Sequence, residues 1–227
     1  SNGGDPVVHG ERGETCVVSA ALAFLEGKKR IIEDLRPGDY AKVDKSIGAS
    51  VGGHVRHSLD HFAKCLAILN DNSDQTESGG TEQDKETSTS IRYDHRERGG
   101  TVETDPAGAV EVISYLLEHL RALPRGKAGS EKLRGILVTP AFFLGSAGAS
   151  ADGDQEHRFL SNLERELFFC CHHGMHHDAM IRLILEGMAE RESGAARSLV
   201  EGGKGLGVAP STVDFREKQQ QQPALDD

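Results

Sequence analysis

Apolar residues recur at three- and four-residue spacing in four separate stretches of the chain, which is the pattern of amphipathic helices. The spacing predicts helices over residues 14–36, 49–69, 105–123 and 155–191. In the second stretch a single apolar stripe is formed by Val51, Val55, Leu59, Phe62, Leu66 and Leu69. Because such stripes must be buried against one another, the sequence predicts an all-α fold, a four-helix bundle with long connections.

One long connection differs sharply from the helices in composition. Residues 70–90 contain no aliphatic or aromatic side chain. A segment of this kind cannot bury enough apolar surface to offset the entropy lost on ordering, so we predict a disordered insertion here. The helical domain is predicted over 14–216, between flexible termini at 1–13 and 217–227.

A single run has a β-like composition. Residues 133–144 read LRGILVTPAFFL, directly after a Gly- and Lys-containing run that, with Pro124, is expected to end the third helix. Pro140 has no backbone N–H for a central sheet ladder, which would confine any strand to the edge of a sheet.

Composition and charge exclude several classes of function. The formal net charge of −10 argues against a general nucleic-acid binder and against binding to an anionic membrane surface. No apolar run approaches the roughly 20 residues of a membrane-spanning helix. Two of the four cysteines, Cys170 and Cys171, are adjacent, which is a poor disulfide framework. A reducing, cytoplasmic setting is therefore expected.

Histidine is concentrated in two windows, at 54–61 and 172–177, which hold seven of the 11 histidines. Two histidines four residues apart on a helix can share one metal ion. At about 100° per residue, His173 and His177 fall on the edge of the apolar arc of the last helix, whereas His172 and His176 fall nearly opposite. The inward pair is the candidate for metal binding.

An open catalytic metal site needs a third protein ligand, and the second helix offers three candidates. His54 and His61 flank its apolar stripe, and His57 lies further round. The helical wheel does not choose among them. The competing interpretation is that each histidine is a hydrogen-bonded residue at the boundary of the core.

Four segments in order, SVGGHVRHSLDHF, IRYDHRERGGTVETD, ELFFCCHHGMHHDAMIRL and GLGVAPSTV, resemble a branch of the DinB-like superfamily, which includes the YfiT-like metal-dependent hydrolases. The resemblance spans about residues 15–215. It implies a four-helix bundle, often dimeric, that binds nickel, zinc or iron. Carried over by residue, it implies His57, His173 and His177 as the metal ligands.

The resemblance also implies a function, a divalent-metal-dependent hydrolase or thiol transferase that acts on a small molecule. The alternative is a non-catalytic metal-binding bundle, stress-related or partner-binding. A fourth protein ligand such as Asp60, Glu166 or Asp178 would close the site and favour that alternative. The chain departs from the family at 178–180, where it has Asp-Ala-Met in place of a frequent Arg-Gly-Gln.

Two further features bear on substrate and partners. The ionisable run at 93–98 is either a lid, with Arg96 or Arg98 holding a substrate carboxylate, or a solvated connector. On the last helix three residues fall outside the core arc and are candidates for a homodimer contact, namely Phe168, Phe169 and Leu183. Cover by the first helix of the same chain is the alternative for that surface.

Overall fold

Four long helices form most of the structure, a computed structural model that describes residues 16–71, 90–94, 100–143, 156–191 and 206–207. The described helices are α1 Val17–Asp34, α2 Pro37–Tyr40, α3 Val51–Asp71, α4 Pro106–Ala122, α5 Gly126–Gly135 and α6 Leu163–Arg191. A short 3-10 helix, Thr101–Glu103, precedes α4. The strands are β1 Ser90–Arg92, β2 Leu137–Phe143, β3 Glu156–Arg158 and β4 Ser161–Asn162. The prediction of a mostly helical chain is thus confirmed.

The apolar stripes predicted from the sequence pack against one another. Helix α1 packs against α4 and α6, and α3 packs against the same two helices from the other side. The core between them includes Leu25, Ile32, Val55, Leu59, Phe62, Ile113, Leu120, Leu167 and Leu185. Each of the four long helices therefore has two long neighbours, and its periodic face is the buried one.

The start of α4 shows how local sequence determines a boundary. The side chain of Asp105 accepts a hydrogen bond from the backbone N–H of Ala107 at 2.9 Å, and Pro106 occupies the first turn. Both residue types are favoured at these positions because they satisfy or remove free N–H groups. This helix begins within one residue of its predicted start.

A four-stranded mixed sheet accompanies the helices, and the all-α prediction did not include it. Strand β2 pairs in parallel with β1, with Ile91 opposite Pro140. It pairs antiparallel with β3 and β4 along its other side. The expectation that Pro140 would lie on an edge strand is wrong, because β2 is central. The proline is tolerated where residues 159–160 separate β3 from β4, and its carbonyl accepts from Phe159 N–H at 3.4 Å.

Two helices differ from the prediction. The last helix was predicted from residue 155, but α6 begins at Leu163 because residues 156–158 and 161–162 pair with β2. The run after Pro124 was predicted only to end the third helix, and it also begins a further helix, α5. Three glycines weaken the local helical signal of α5, and burial of Leu133 in the core compensates.

Several predicted segments lie wholly or largely outside the described residues. Of the insertion predicted at 70–90, the first two residues end α3 and Ser90 begins β1, and the remainder is outside the description. The termini predicted at 1–13 and 217–227 are outside it as well. Among the helices that are described, none combines the length and hydropathy needed to cross a membrane.

The 3-10 helix is held tightly against the beginning of α3. Tyr40 donates a hydrogen bond from its hydroxyl to the carbonyl of Val102 at 2.7 Å. A Cβ on Gly52 would overlap the carbonyl oxygen of Glu103 and lie 2.7 Å from the Tyr40 ring. Gly52 therefore permits a backbone approach that positions the first turn of α3, immediately before the histidine window.

We predict that Gly52→Ala destabilises the fold by about 1–3 kcal/mol, because the added methyl group meets backbone that cannot move aside. Gly27→Ala is the matched control, since Gly27 is also helical and its Cβ would meet nothing within 4 Å. That control should gain roughly 0.5–1 kcal/mol from helix propensity. Urea unfolding followed by circular dichroism measures both, and equal stability of the two variants would contradict the close approach.

Candidate metal centre

Packing of α3 against α6 brings the two histidine windows together. His57 and His61 extend from α3, and His173 and His177 extend from α6. Three of these side chains, His57, His61 and His173, each offer a ring nitrogen within 4.8 Å of the other two. Three histidines thus lie close enough to hold a metal ion.

The Nε2 atom of His173 has two imidazole nitrogens as neighbours. It lies 3.2 Å from Nε2 of His57 and 3.1 Å from Nε2 of His177. A neutral imidazole nitrogen carries either one hydrogen or one lone pair, so this atom can form one well-aligned hydrogen bond and not two. Hydrogen bonding among these rings therefore leaves one close nitrogen–nitrogen contact unsatisfied.

A metal ion would accept the lone pairs of two such neighbouring nitrogens without a hydrogen between them. Ligands about 2.0–2.1 Å from a tetrahedral ion lie roughly 3.3 Å from one another. The observed separations of 3.2 and 3.1 Å are close to that value. Lone pairs that would repel each other in a bare cluster become the donors of a coordination site. Each of these two separations is therefore compatible with a pair of neighbouring ligands on one tetrahedral ion.

His61 has a defined tautomer. Its Nδ1 lies 2.9 Å from the backbone carbonyl of His57, which can only accept, so Nδ1 carries the hydrogen. Burial lowers the pKa of His61 to about 4, and the ring is neutral at pH 7. Its Nε2 consequently presents a lone pair, the form that a metal ligand needs.

His177 and His54 are also kept neutral by their surroundings. Burial lowers the pKa of His177 to about 2, and His57 and His173 add to the shift. Burial likewise lowers the pKa of His54, with a further contribution from Lys28. Nδ1 of His54 lies 2.9 Å from Nδ1 of His177. His54 thus contacts the far side of the His177 ring.

The structure separates the histidines much as the helical wheel indicated. His173 and His177 face α3, whereas His172 and His176 are exposed. The wheel left His54, His57 and His61 as alternatives, and all three prove to be close to the α6 pair. Each nevertheless makes a different contact, which the wheel did not distinguish.

Two of the acidic residues considered as a fourth ligand have other partners. Asp60 accepts a hydrogen bond from Arg56 at 2.9 Å on the same helix. Asp178 forms a hydrogen-bonded ion pair with Lys28 of α1, and both side chains are buried. Each carboxylate is thus paired with a cation in its position.

Glu166, the third acidic candidate, is fully buried within a separate network. It accepts hydrogen bonds from Tyr93 at 3.0 Å, Ser161 at 2.6 Å and the Arg165 guanidinium at 2.7 Å. Three donors satisfy this carboxylate where it lies. None of the three carboxylates belongs to the three-residue ligand group found among the described residues.

An aromatic wall covers one side of the histidine cluster. Tyr93 stacks on His61 with ring centroids 4.9 Å apart, and Phe169 stacks on His173 at 5.6 Å. Phe142 of β2 packs against both Tyr93 and Phe169. The sheet therefore contributes to the site by placing Phe142 behind these rings. This role of Phe142 has no signal in the sequence, because no periodic pattern links β2 to α3 and α6.

The segment at 93–98 was interpreted as either a lid or a solvated connector. Tyr93 is buried, and burial raises its pKa far above the usual range, so this residue is part of the packed wall. Asp94 is exposed. Arg96 and Arg98 lie outside the described residues, and their predicted contact with a carboxylate stays a prediction.

The three residues expected at a dimer contact have different environments. Phe168 and Leu183 are exposed, at 62% and 49% of their surface. Phe169 instead packs on His61, Tyr93 and the other rings of the wall, so its assignment to an outer face is corrected. Phe168 and Leu183 are thus the two residues of the expected homodimer face that the described structure leaves exposed.

We predict that the metal-free protein loses stability on acidification below about pH 6.5. The pKa of His61 is about 4 when folded but about 6.5 when unfolded, so the unfolded chain binds more protons in that interval. This group therefore contributes stability that is present above pH 6.5 and lost as the pH falls. Between pH 7.5 and 5.5 the loss should be roughly 1 kcal/mol from His61 alone.

Urea unfolding in the presence of a chelator, at both pH values, measures the effect. The variant His61→Gln has no titrating group at this position. Its free energy of unfolding should therefore differ less between the two pH values, by roughly 1 kcal/mol. His172→Gln removes an exposed histidine of α6 and should leave the difference unchanged. An identical pH dependence in the wild type and His61→Gln would contradict the assignment of a neutral buried ring.

Comparison with known proteins assigns no family to this cluster. Neither protein-family models, nor curated proteins, nor solved structures yielded a match to the chain. The chemistry of the site must therefore be inferred from its own atoms. Those atoms are converging imidazole nitrogens beside a buried aromatic wall, and the nearby candidate carboxylates are paired elsewhere.

Proposed function

We propose that this protein is a divalent-metal-dependent enzyme, a hydrolase or a thiol transferase that acts on a small molecule. One ion would be held by Nε2 of His57, His173 and His177. The observation that carries the proposal is the close approach of two imidazole nitrogens to Nε2 of His173, at 3.2 and 3.1 Å. A bound cation is the simplest way to satisfy all three.

The donor set limits the class of metal. Three imidazole nitrogens are borderline donors that suit zinc, nickel or iron(II), and they do not select one of these. Hard ions such as Mg²⁺ and Ca²⁺ prefer oxygen ligands, which the candidate group lacks. His57 and His173 are common to both possible ligand sets. We favour His177 as the third ligand because its Nε2 is in direct contact with that of His173.

The catalytic proposal depends on a free coordination position. Asp60, Glu166 and Asp178 are paired with Arg56, Arg165 and Lys28, which supports a site that none of them completes. A divalent ion there would supply Lewis acidity that lowers the pKa of a water or thiol nucleophile to near 7. Tyr93 and Phe169 would exclude bulk water from that side of the site.

The arrangement of the long helices also supports the proposed relationship to DinB-like bundles. Each of α1, α3, α4 and α6 packs against two of the others. The candidate ligands come from the second and the last of these helices, as the resemblance implies. The mixed sheet would then be an addition that carries Phe142 to the edge of the site.

One observation favours the alternative of a non-catalytic metal-binding protein. His61 presents a lone pair on Nε2 and belongs to the group whose ring nitrogens lie within 4.8 Å of one another. If it joined the other three rings on the ion, four protein ligands would close the site. Closed tetrahedral sites stabilise folds and leave no position for a substrate.

We predict that tag-free protein binds one divalent ion per chain and that His173→Ala or His177→Ala abolishes this stoichiometric binding. Each substitution removes a nitrogen from the proposed site. His172→Ala is the matched control, because it removes an exposed histidine of the same helix whose ring stacks on Phe168. Elemental analysis after dialysis measures the content. Equal loss in the control, or full retention in both single variants, would overturn the proposed site.

A cobalt(II) form distinguishes the enzyme from the closed site. We predict that a small thiol added to Co²⁺-loaded protein produces a sulfur-to-cobalt charge-transfer band and shifts the visible spectrum, because a free position accepts the sulfur. His61→Gln should give the same response. A wild-type spectrum that does not respond, with a response appearing only in His61→Gln, would show that His61 fills the fourth position.

A further inference from the structure

His54 lies behind one of the proposed ligands and is not itself required as a ligand. Its Nδ1 is 2.9 Å from Nδ1 of His177, and the two ring centroids are 5.2 Å apart. On the opposite side of the His177 ring, Nε2 faces His173 at 3.1 Å. The ring of His177 is therefore held at both nitrogens, between His54 and the cluster.

The hydrogen bond between His54 and His177 can be formed in two ways. If His54 donates, His177 accepts on Nδ1, and its own hydrogen is on Nε2, where it blocks coordination. If His177 donates from Nδ1, its Nε2 carries a lone pair directed at the cluster. The direction of this one hydrogen bond thus decides whether His177 can bind a metal.

We infer that His54 is a positioning residue that accepts the Nδ1 hydrogen of His177 and so holds that ring in its metal-binding tautomer and orientation. The inference rests on the proposed metal site. Metal-bound histidines commonly donate their second N–H to a carboxylate, a carbonyl or water, and loss of that partner typically costs 10–100-fold in metal affinity. Here a neutral imidazole takes the place of the usual oxygen acceptor.

The second ring nitrogen of His54, Nε2, also bears on the role of this residue. Its Nε2 is buried and has no hydrogen-bond partner among the described residues. In the proposed tautomer this atom carries the hydrogen, so a buried N–H is left for an acceptor such as a water molecule or a ligand oxygen. A packed core disfavours unsatisfied polar atoms, and an aliphatic residue would avoid the cost. The contact with His177 gives the imidazole a role that an aliphatic residue could not fill.

The backbone around His54 keeps the ring in place. The hydroxyl of Ser58 donates to the His54 carbonyl at 2.9 Å, and the His54 N–H donates to the Ser50 carbonyl at 3.3 Å. His54 is therefore held within the first turns of α3. Its ring reaches His177 because α3 packs against α6, and the two ring centroids lie 5.2 Å apart.

The first test is the Zn²⁺ affinity of three variants, measured by competition with a chromophoric chelator. His54→Phe keeps an aromatic ring but removes the acceptor, and it should weaken Zn²⁺ binding by 10–100-fold. His54→Asn places an amide oxygen near the position of Nδ1 and should recover most of the affinity. His172→Phe, on the exposed face of α6, is the control and should bind Zn²⁺ as the wild type does.

The outcomes separate this inference from the proposed metal site. If the wild type binds no Zn²⁺ stoichiometrically, both fail. If the wild type binds Zn²⁺ and His54→Phe binds it equally well, the metal site stands and the role of His54 is overturned. Weak binding by both His54→Phe and His54→Asn would also overturn it, because the effect would then not follow the acceptor.

A second measurement does not depend on any variant folding. Long-range proton–nitrogen correlation spectra of Zn²⁺-loaded wild-type protein, labelled with ¹⁵N in its imidazoles, report which nitrogen of each ring carries the hydrogen. We expect a protonated Nδ1 in His177, and in His54 an unprotonated Nδ1 with a protonated Nε2. A hydrogen on Nδ1 of His54 would overturn the inference even if the affinities changed.

Discussion

The close packing of α3 against α6 is the constraint on which the site depends. Both helices carry an apolar stripe, and the histidines lie along its edges, so burial of the stripes forces the imidazoles together. The spacing of four residues then places His173 one turn from His177. Hydrophobic burial thus supplies the free energy that holds several polar rings in contact.

On the side of α6 that faces α1, a glycine leaves room for an aromatic ring. A Cβ on Gly174 would overlap the ring of Phe24 from α1, which itself stacks on Phe62 of α3. Gly174 follows His173 directly, so the approach of α1 supports α6 at the level of the candidate ligands. Lys28 and Asp178 add a buried ion pair between the same two helices one turn further along. Removing one member alone would leave an uncompensated buried charge.

Neutral histidines and paired carboxylates occupy separate parts of the interior. Around the clustered histidines, burial lowers pKa values and keeps the rings neutral. Carboxylates lie nearby but are satisfied separately, as in the network of Glu166 with Tyr93 and Arg165. At His61 burial outweighs the opposing charge of Asp94, so the ring stays neutral and retains the lone pair that coordination requires. The aromatic wall strengthens this effect by excluding water from His61 and His173.

The sequence by itself determined the long helices and the inward direction of His173 and His177. Both follow from a periodicity of 3.6 residues, which is a local property of one segment. Predicted starts and ends agree best where local signals are strong, as at Asp105 and Pro106. The helix α5 was missed because its glycines hide a segment whose stability comes from the buried side chain of Leu133.

Only the tertiary structure decided how His54, His57 and His61 differ. All three lie within one arc of α3, and their separate contacts depend on the distance and rotation of α6, which no local pattern encodes. The same holds for the sheet, where β2 pairs with β1 across a long stretch of sequence and accommodates Pro140 at a break in the opposing strand. Distant segments pair where their backbone N–H and C=O groups and their side chains still need partners. Which groups these are depends on how the whole chain is packed.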